Sequence, residues 1–181
     1  GIRCAAPEGG EALARLRDRL LGPSGQIVVL PDGLTQTSHL PGGIILLPRK
    51  LIEAGNNPDV IAGAVLAEDL RQQSSNPTAE LLRHAGLRAT LTLLTTGDLP
   101  GSGVAGYGEV LLDRAHLPLT HASLIARFTA AELSTTPYAY ALDPTGESVL
   151  ALIEADPMRN TQAEPVLSDT EWVALQGICT G

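Results

Sequence analysis

Three polar side chains, Glu68, Asp69 and Gln72, close the otherwise apolar segment Ile61-Ala-Gly-Ala-Val-Leu-Ala-Glu-Asp-Leu-Arg-Gln72. At about 100° per residue on a helix, Ile61, Ala62, Ala64, Val65 and Leu66 form one apolar arc, and the three polar residues project into its middle. Asp59, Gly63 and Arg71 fall on the side assigned to water. Burying a carboxylate costs several kcal/mol unless a partner or a proton neutralises it, so carboxylates on a core-facing arc point to chemistry or to descent from a protein that used them for chemistry. The plain alternative is a helix whose end is exposed beyond Ala67. Glu68 and Asp69 as an acid and base pair are disfavoured, because adjacent helical residues point about 100° apart.

Other chemistries find less support. The histidines His39, His84, His116 and His121 show no i, i+3 or i, i+4 pairing, so no local zinc cluster is readable and each is expected at the surface. Gly101-Ser-Gly103 and Gly106-Tyr-Gly108 match neither a phosphate-binding nor a dinucleotide-binding loop, and no Gly-x-Ser-x-Gly elbow is present. Cys4 and Cys179 have no nearby histidine to activate them as nucleophiles. No cofactor and no intact metal site are expected.

The elements that must position these residues follow from periodicity and punctuation. Leu13, Leu16 and Leu20 make Glu8 to Leu21 an amphipathic helix stopped by Gly22-Pro23. Strands are expected at Gln26 to Leu30, Leu34 to Leu40 and Ile44 to Leu47, separated by Pro31-Asp-Gly33 and Pro41-Gly-Gly43 in a hairpin or meander. Helices follow: Pro48 to Ala54, the segment opened by Asn57-Pro58, Thr78 to Leu94, Glu109 to Arg114, Thr120 to Leu133, Thr136 to Leu142 and Ser148 to Ala155. Asp98 to Gly108 reads as a glycine-rich loop, Asp143-Pro-Thr-Gly146 as a turn and Pro157 to Pro165 as a linker. Ser168-Asp-Thr-Glu171 is a capping box for a last helix carrying Trp172. One helix, a small antiparallel sheet and then many helices make an α+β fold dominated by helix.

The order Leu40-Pro-Gly-Gly-Ile-Ile-Leu-Leu-Pro-Arg-Lys-Leu51 followed by Asn57-Pro-Asp-Val-Ile-Ala-Gly-Ala-Val-Leu-Ala67 resembles the zinc endopeptidase family of the CAAX prenyl protease and the heat-shock membrane metalloprotease, over roughly residues 8 to 142. The resemblance implies a metallopeptidase-like domain over 1–156, with 157–181 as linker and C-terminal helix packed on it. In that family, His-Glu-x-x-His follows Val-Leu-Ala directly, with both imidazoles on zinc and the glutamate as general base. Here those places hold Glu68, Asp69 and Gln72. Both imidazoles are lost, glutamine is a poor zinc ligand, and aspartate withdraws the base by one methylene. The family's third ligand, a glutamate of a later helix, falls near Leu119 and His121, and Glu154-Ala-Asp156 imitates its motif only in letters. The resemblance implies a gluzincin-like scaffold without its catalytic centre, a pseudopeptidase. It also implies that the edge strand at His39, Leu40, Pro41, Gly42 and Gly43 is a candidate peptide-binding segment by strand addition. The rival readings are a hydrolase with non-zinc chemistry at Glu68 or Asp69, and an active metallopeptidase with displaced ligands.

The 181 residues, 44% hydrophobic and 18% charged, suit one globular domain. A net charge of −8 without a basic stripe argues against nucleic acid as a partner. The longest apolar run, Ile44 to Leu47, is far below the roughly 20 residues of a membrane helix. The chain opens on Gly1, which reads as the scar of an excised fragment. Any membrane contact is expected only through an anchor outside it, as the resemblance to a membrane-associated bacterial family implies. The only cysteines, Cys4 and Cys179, are either two buried thiols or one bridge between neighbouring termini. The bridge is the adopted expectation, because both lie just outside the first and last helices, and it implies an oxidising compartment such as the periplasm.

Overall fold

In a computed structural model the structure describes residues 3–74 and 118–180. The helices expected at Thr78 to Leu94 and Glu109 to Arg114, the glycine loop, His84 and His116 lie outside the described residues. The first helix, α1, spans Pro7–Leu21 and buries Leu13, Leu16 and Leu20, as their spacing requires. Strands β1 (Gln26–Leu30), β2 (Ser38–Leu40) and β3 (Ile44–Pro48) follow, then α2 (Arg49–Glu53), α3 (Pro58–Ser74), α4 (His121–Ala130), α5 (Thr136–Leu142), α6 (Leu150–Glu154) and α7 (Asp169–Gln176).

The fold is α+β, with a mixed sheet in place of the antiparallel one expected. Its order is β1-β3-β2: β3 pairs in parallel with β1, Ile27 opposite Ile45, and antiparallel with β2, His39 opposite Ile45. The Ile45 to Pro48 run is buried throughout, which suits a central strand, whereas β2 is only three residues long and takes the edge. Gly42 and Gly43, with φ of 91° and 81°, make the reversal that folds β3 back on β2. The second expected strand, Leu34 to Leu40, is correspondingly shorter.

The central element is α3. Every residue from Ile61 to Glu68 is buried, because the helix is enclosed by α1, the sheet, α4 and α5. The division of this helix into a core side and a water side is therefore corrected. Gly63 faces α5, where a Cβ would stand 2.7 Å from Cβ and Cγ of Tyr138. Asp59 is half-buried, and burial raises its carboxyl above the ordinary value despite Arg19 and the Val166 amide. Gly63→Ala is expected to destabilise the domain by about 1 to 3 kcal/mol, since the clash is with the root of a ring and not with a flexible tip. Urea unfolding measures it, and an unchanged midpoint would mean that α3 and α5 pack less tightly.

Asp156, just after α6, ties that helix to the start of α5. Its Oδ2 accepts from Ser134 Oγ at 2.5 Å, Thr136 Oγ1 at 2.5 Å and the Thr136 amide at 3.2 Å, and its Oδ1 accepts from the Met158 amide at 2.9 Å. Burial alone would raise this carboxyl, but these bonds together outweigh it and hold the pKa below the ordinary 3.8. A depressed folded-state pKa gives stability that is present above 3.8 and lost as pH falls through the folded value. Thermal melts of wild type and Asp156→Asn are expected to differ by about 1 to 2 kcal/mol at neutral pH and to converge in acid. A constant difference down to the lowest pH would remove the charge from the account.

Residues 157–180 cross the domain as a strap. Arg19 donates to the carbonyls of Glu164 at 2.9 Å and Pro165 at 2.6 Å, and Val166 and Leu167 enter the core. The capping box of Ser168 and Glu171 opens α7, which packs on α1 and α2. Trp172 is only half-buried, while Leu175 and Ile178 are fully buried. Cys4 and Cys179 form a disulfide with Cα atoms 4.5 Å apart. Beside it the Cys4 amide bonds the Val29 carbonyl and the Ala6 amide bonds the Ile178 carbonyl, each at 3.0 Å.

Candidate functional site

The three positions that opened the question lie on the last turns of α3, next to the edge strand. Glu68 is 2% exposed, so the reading of an exposed helix end fails at this residue. Its partner on the sheet is His39, also 2% exposed, whose Nδ1 stands 2.6 Å from Glu68 Oε1. With the carboxylate ionised, Oε1 only accepts and Nδ1 carries the proton of this contact. The second oxygen, Oε2, accepts from Arg71 Nη1 at 3.0 Å, one turn along the same helix. Arg71 is therefore not on a water-facing side: its side chain is 12% exposed.

Tyr138 extends the cluster to α5. Burial raises its phenol above the ordinary 10.0, and the nearby Glu68 carboxylate adds to this, while the charge of Arg71 and its hydrogen bond work against it. The Tyr138 ring in turn stacks on Phe128 of α4, centroids 5.6 Å apart and tilted by 35°. Sheet, central helix and α5 thus meet at one buried polar network.

Asp69 points the other way round the helix. Its Oδ2 accepts from Arg127 Nε at 3.1 Å and Nη2 at 3.0 Å, and from Gln73 Nε2 at 3.0 Å. The same Arg127 Nη2 donates to the Leu20 carbonyl at 2.8 Å, where the last carbonyls of α1 need donors. Asp69 is therefore the hinge of an α1, α3 and α4 junction. Gln72 lies half-buried beside the Gly43 turn, its Nε2 3.9 Å from where a Cβ of Gly43 would be.

The expected peptide-binding edge is only partly on the surface. β2 is at the sheet edge, with Gly42 exposed and Leu40, Pro41 and Gly43 half-buried, but His39 turns inward. The expectation of a surface histidine is corrected for His39, because a strand residue facing α3 meets the Glu68 carboxylate there. His121 begins α4 and is half-buried, Leu119 precedes it, and Glu154 is exposed at the end of α6. Among the described residues no three His, Cys, Asp or Glu side chains gather closely enough to hold a metal ion.

Sequence reasoning missed His39, Arg71, Tyr138 and Arg127 as partners. Arg71 was legible, since i and i+3 side chains meet on a helix. The other three come from distant elements, and nothing local signals them. No protein-family model and no curated protein matches this chain.

Proposed function

We propose that this domain is a catalytically inactive, peptidase-like domain with a binding or regulatory role, the exported part of a membrane-associated bacterial protein, either periplasmic or held at the membrane by an anchor elsewhere. One observation carries the reading: both oxygens of Glu68 are engaged inside the protein, by His39 and Arg71, at the place where the zinc-peptidase pattern has its first imidazole. Asp69, at the place of the general base, is held by Arg127 and stands away from Glu68. The motif positions serve as internal struts, and a strut that holds three elements is poorly placed to release water or a proton to a substrate.

The position of Leu40-Pro-Gly-Gly43 supports the resemblance. It is the edge turn beside the motif-bearing helix, where an extended peptide would add to β2 with its backbone supplying the hydrogen bonds. Nucleic acid is not a partner in this reading, and membrane contact comes through an anchor elsewhere in the protein. The disulfide supports an oxidising location, and no helix of the described residues is long and apolar enough to cross a membrane.

Elemental analysis of the purified domain, with a peptide-cleavage assay run with and without added zinc, tests the proposal. The expected result is no stoichiometric zinc and no cleavage. Zinc at about one per chain, or cleavage abolished by Asp69→Asn, would overturn it. The triple variant Glu68→His, Asp69→Glu, Gln72→His is expected to bind zinc at most weakly, because among the described residues no third ligand stands in place.

A further inference from the structure

The 157–180 strap ends in a bond that borders a surface groove. Cys4 and Cys179 line a groove of about 420 Å³ together with Arg3, Pro31 and Ile178. Cys179 is half-buried, and Arg3 is exposed at the groove mouth. Cys4 itself is buried, 9% exposed, so a solution reagent reaches the bond from the half-buried Cys179 side of the groove.

What the bond holds shares the core through Leu175 and Ile178 but packs chiefly on other helices than α3 does. The elements packed on α7 are α1 and α2, while α3 is enclosed by α1, the sheet, α4 and α5. α7 has eight residues, too few for a stable helix by itself, so it persists only while docked. Its docking relies on close backbone approach: a Cβ on Gly9 would stand 2.7 Å from the Ala174 carbonyl, so small displacements break the fit. The remaining ties include the exposed Arg15 to Glu171 pair, the Gln176 Nε2 bond to the Gly55 carbonyl at 3.0 Å, the Ala6 amide bond to the Ile178 carbonyl at 3.0 Å, the packing of Trp172, and the burial of Leu175 and Ile178.

We propose that the Cys4–Cys179 bond is a redox latch: a dithiol reductant entering the groove opens it in the folded protein, and α7 then leaves α1 and α2 while the α3 core stays intact. A thiolate of the reductant attacks one sulfur, which forms a mixed disulfide and releases the other cysteine as a thiolate. The second thiol of the reductant then closes on its partner, expels the remaining cysteine and leaves as a disulfide. Two electrons pass to the domain, whose cysteines end as thiols. The Arg3 guanidinium in the groove favours the departing thiolate. The surface uncovered is the face of α1 that carries Gly9, together with α2 and Gly55 just beyond the end of α2.

The test treats the folded, oxidised domain with dithiothreitol in the absence of denaturant, traps thiols by alkylation, and follows amide hydrogen exchange. The latch predicts reduction whose rate rises with dithiol concentration. It also predicts exchange in 169–180 faster by roughly tenfold or more after reduction, with 61–68 unchanged. A rate independent of dithiol concentration and equal to that of global unfolding would overturn the proposal. So would unchanged exchange in 169–180, or a joint loss of protection in both segments. The double variant Cys4→Ser, Cys179→Ser should reproduce the exchange pattern of the reduced form. Should that variant fail to fold, the dithiol kinetics on the wild type decide, because they read the opening before any later unfolding.

Discussion

Replacing Glu68 with alanine is expected to destabilise the domain by about 3 to 5 kcal/mol, the cost of leaving the partners of a buried carboxylate uncompensated. A carboxylate left without partners on an apolar arc would gain from losing its charge in Glu68→Gln. The contacts reverse that expectation. Both oxygens accept, one from His39 Nδ1 at 2.6 Å and the other from Arg71 at 3.0 Å. Glutamine keeps one acceptor but turns its amide donors toward one of these two donors, so Glu68→Gln is expected to cost about 2 to 3 kcal/mol. Urea unfolding at neutral pH measures both variants. A loss below about 1 kcal/mol for Glu68→Gln would mean that the pair does not need its charge. A double-mutant cycle with His39→Ala then apportions the sheet contact, which single replacements cannot do.

Opening the Cys4–Cys179 bond by the double serine replacement is expected to lower the unfolding free energy by up to about 5 kcal/mol. The figure follows from the chain-entropy model for a loop closed by residues 175 apart, and it is an upper one because the reduced unfolded chain retains structure. Most of the chain lies inside that loop, so the unfolded ensemble gains nearly all of the released freedom. Denaturant unfolding of oxidised and variant proteins reads the difference from midpoint and slope. A shift below about 1 kcal/mol would show that the termini are held as firmly by the Ala6 to Ile178 backbone bond and the burial of Ile178 as by the sulfurs.

How much of this was legible differs by residue. The amphipathic spacing of Leu13, Leu16 and Leu20 identified α1, and Ser168 with Glu171 identified the start of α7, because periodicity and capping are local properties of the chain. The polar intrusion at Glu68 was also legible, as a conflict with the apolar residues before it. Its resolution was not, since the imidazole that meets it comes from a strand 29 positions earlier in the chain. Gly63 was assigned to water on the geometry of one helix, but a helix surrounded on all sides has no water side, and α5 takes that face.

By itself the sequence determined the α+β class, most of the described elements, and the presence of an anomaly at Glu68, Asp69 and Gln72; that the two cysteines bridge was an expectation beside that of two free thiols, and the fold decided it. Tertiary structure alone decided that β3 would lie between β1 and β2, that α3 would be enclosed, and that Glu68 and Asp69 would become struts to His39 and Arg127. The physical reason is range: helix periodicity, caps and turns act within a few residues, whereas a buried charge is satisfied by whichever donor the packing brings to it. The sequence separation of 58 between Asp69 and Arg127 carries no mark of that meeting, and only the packing of α4 against α3 supplies it.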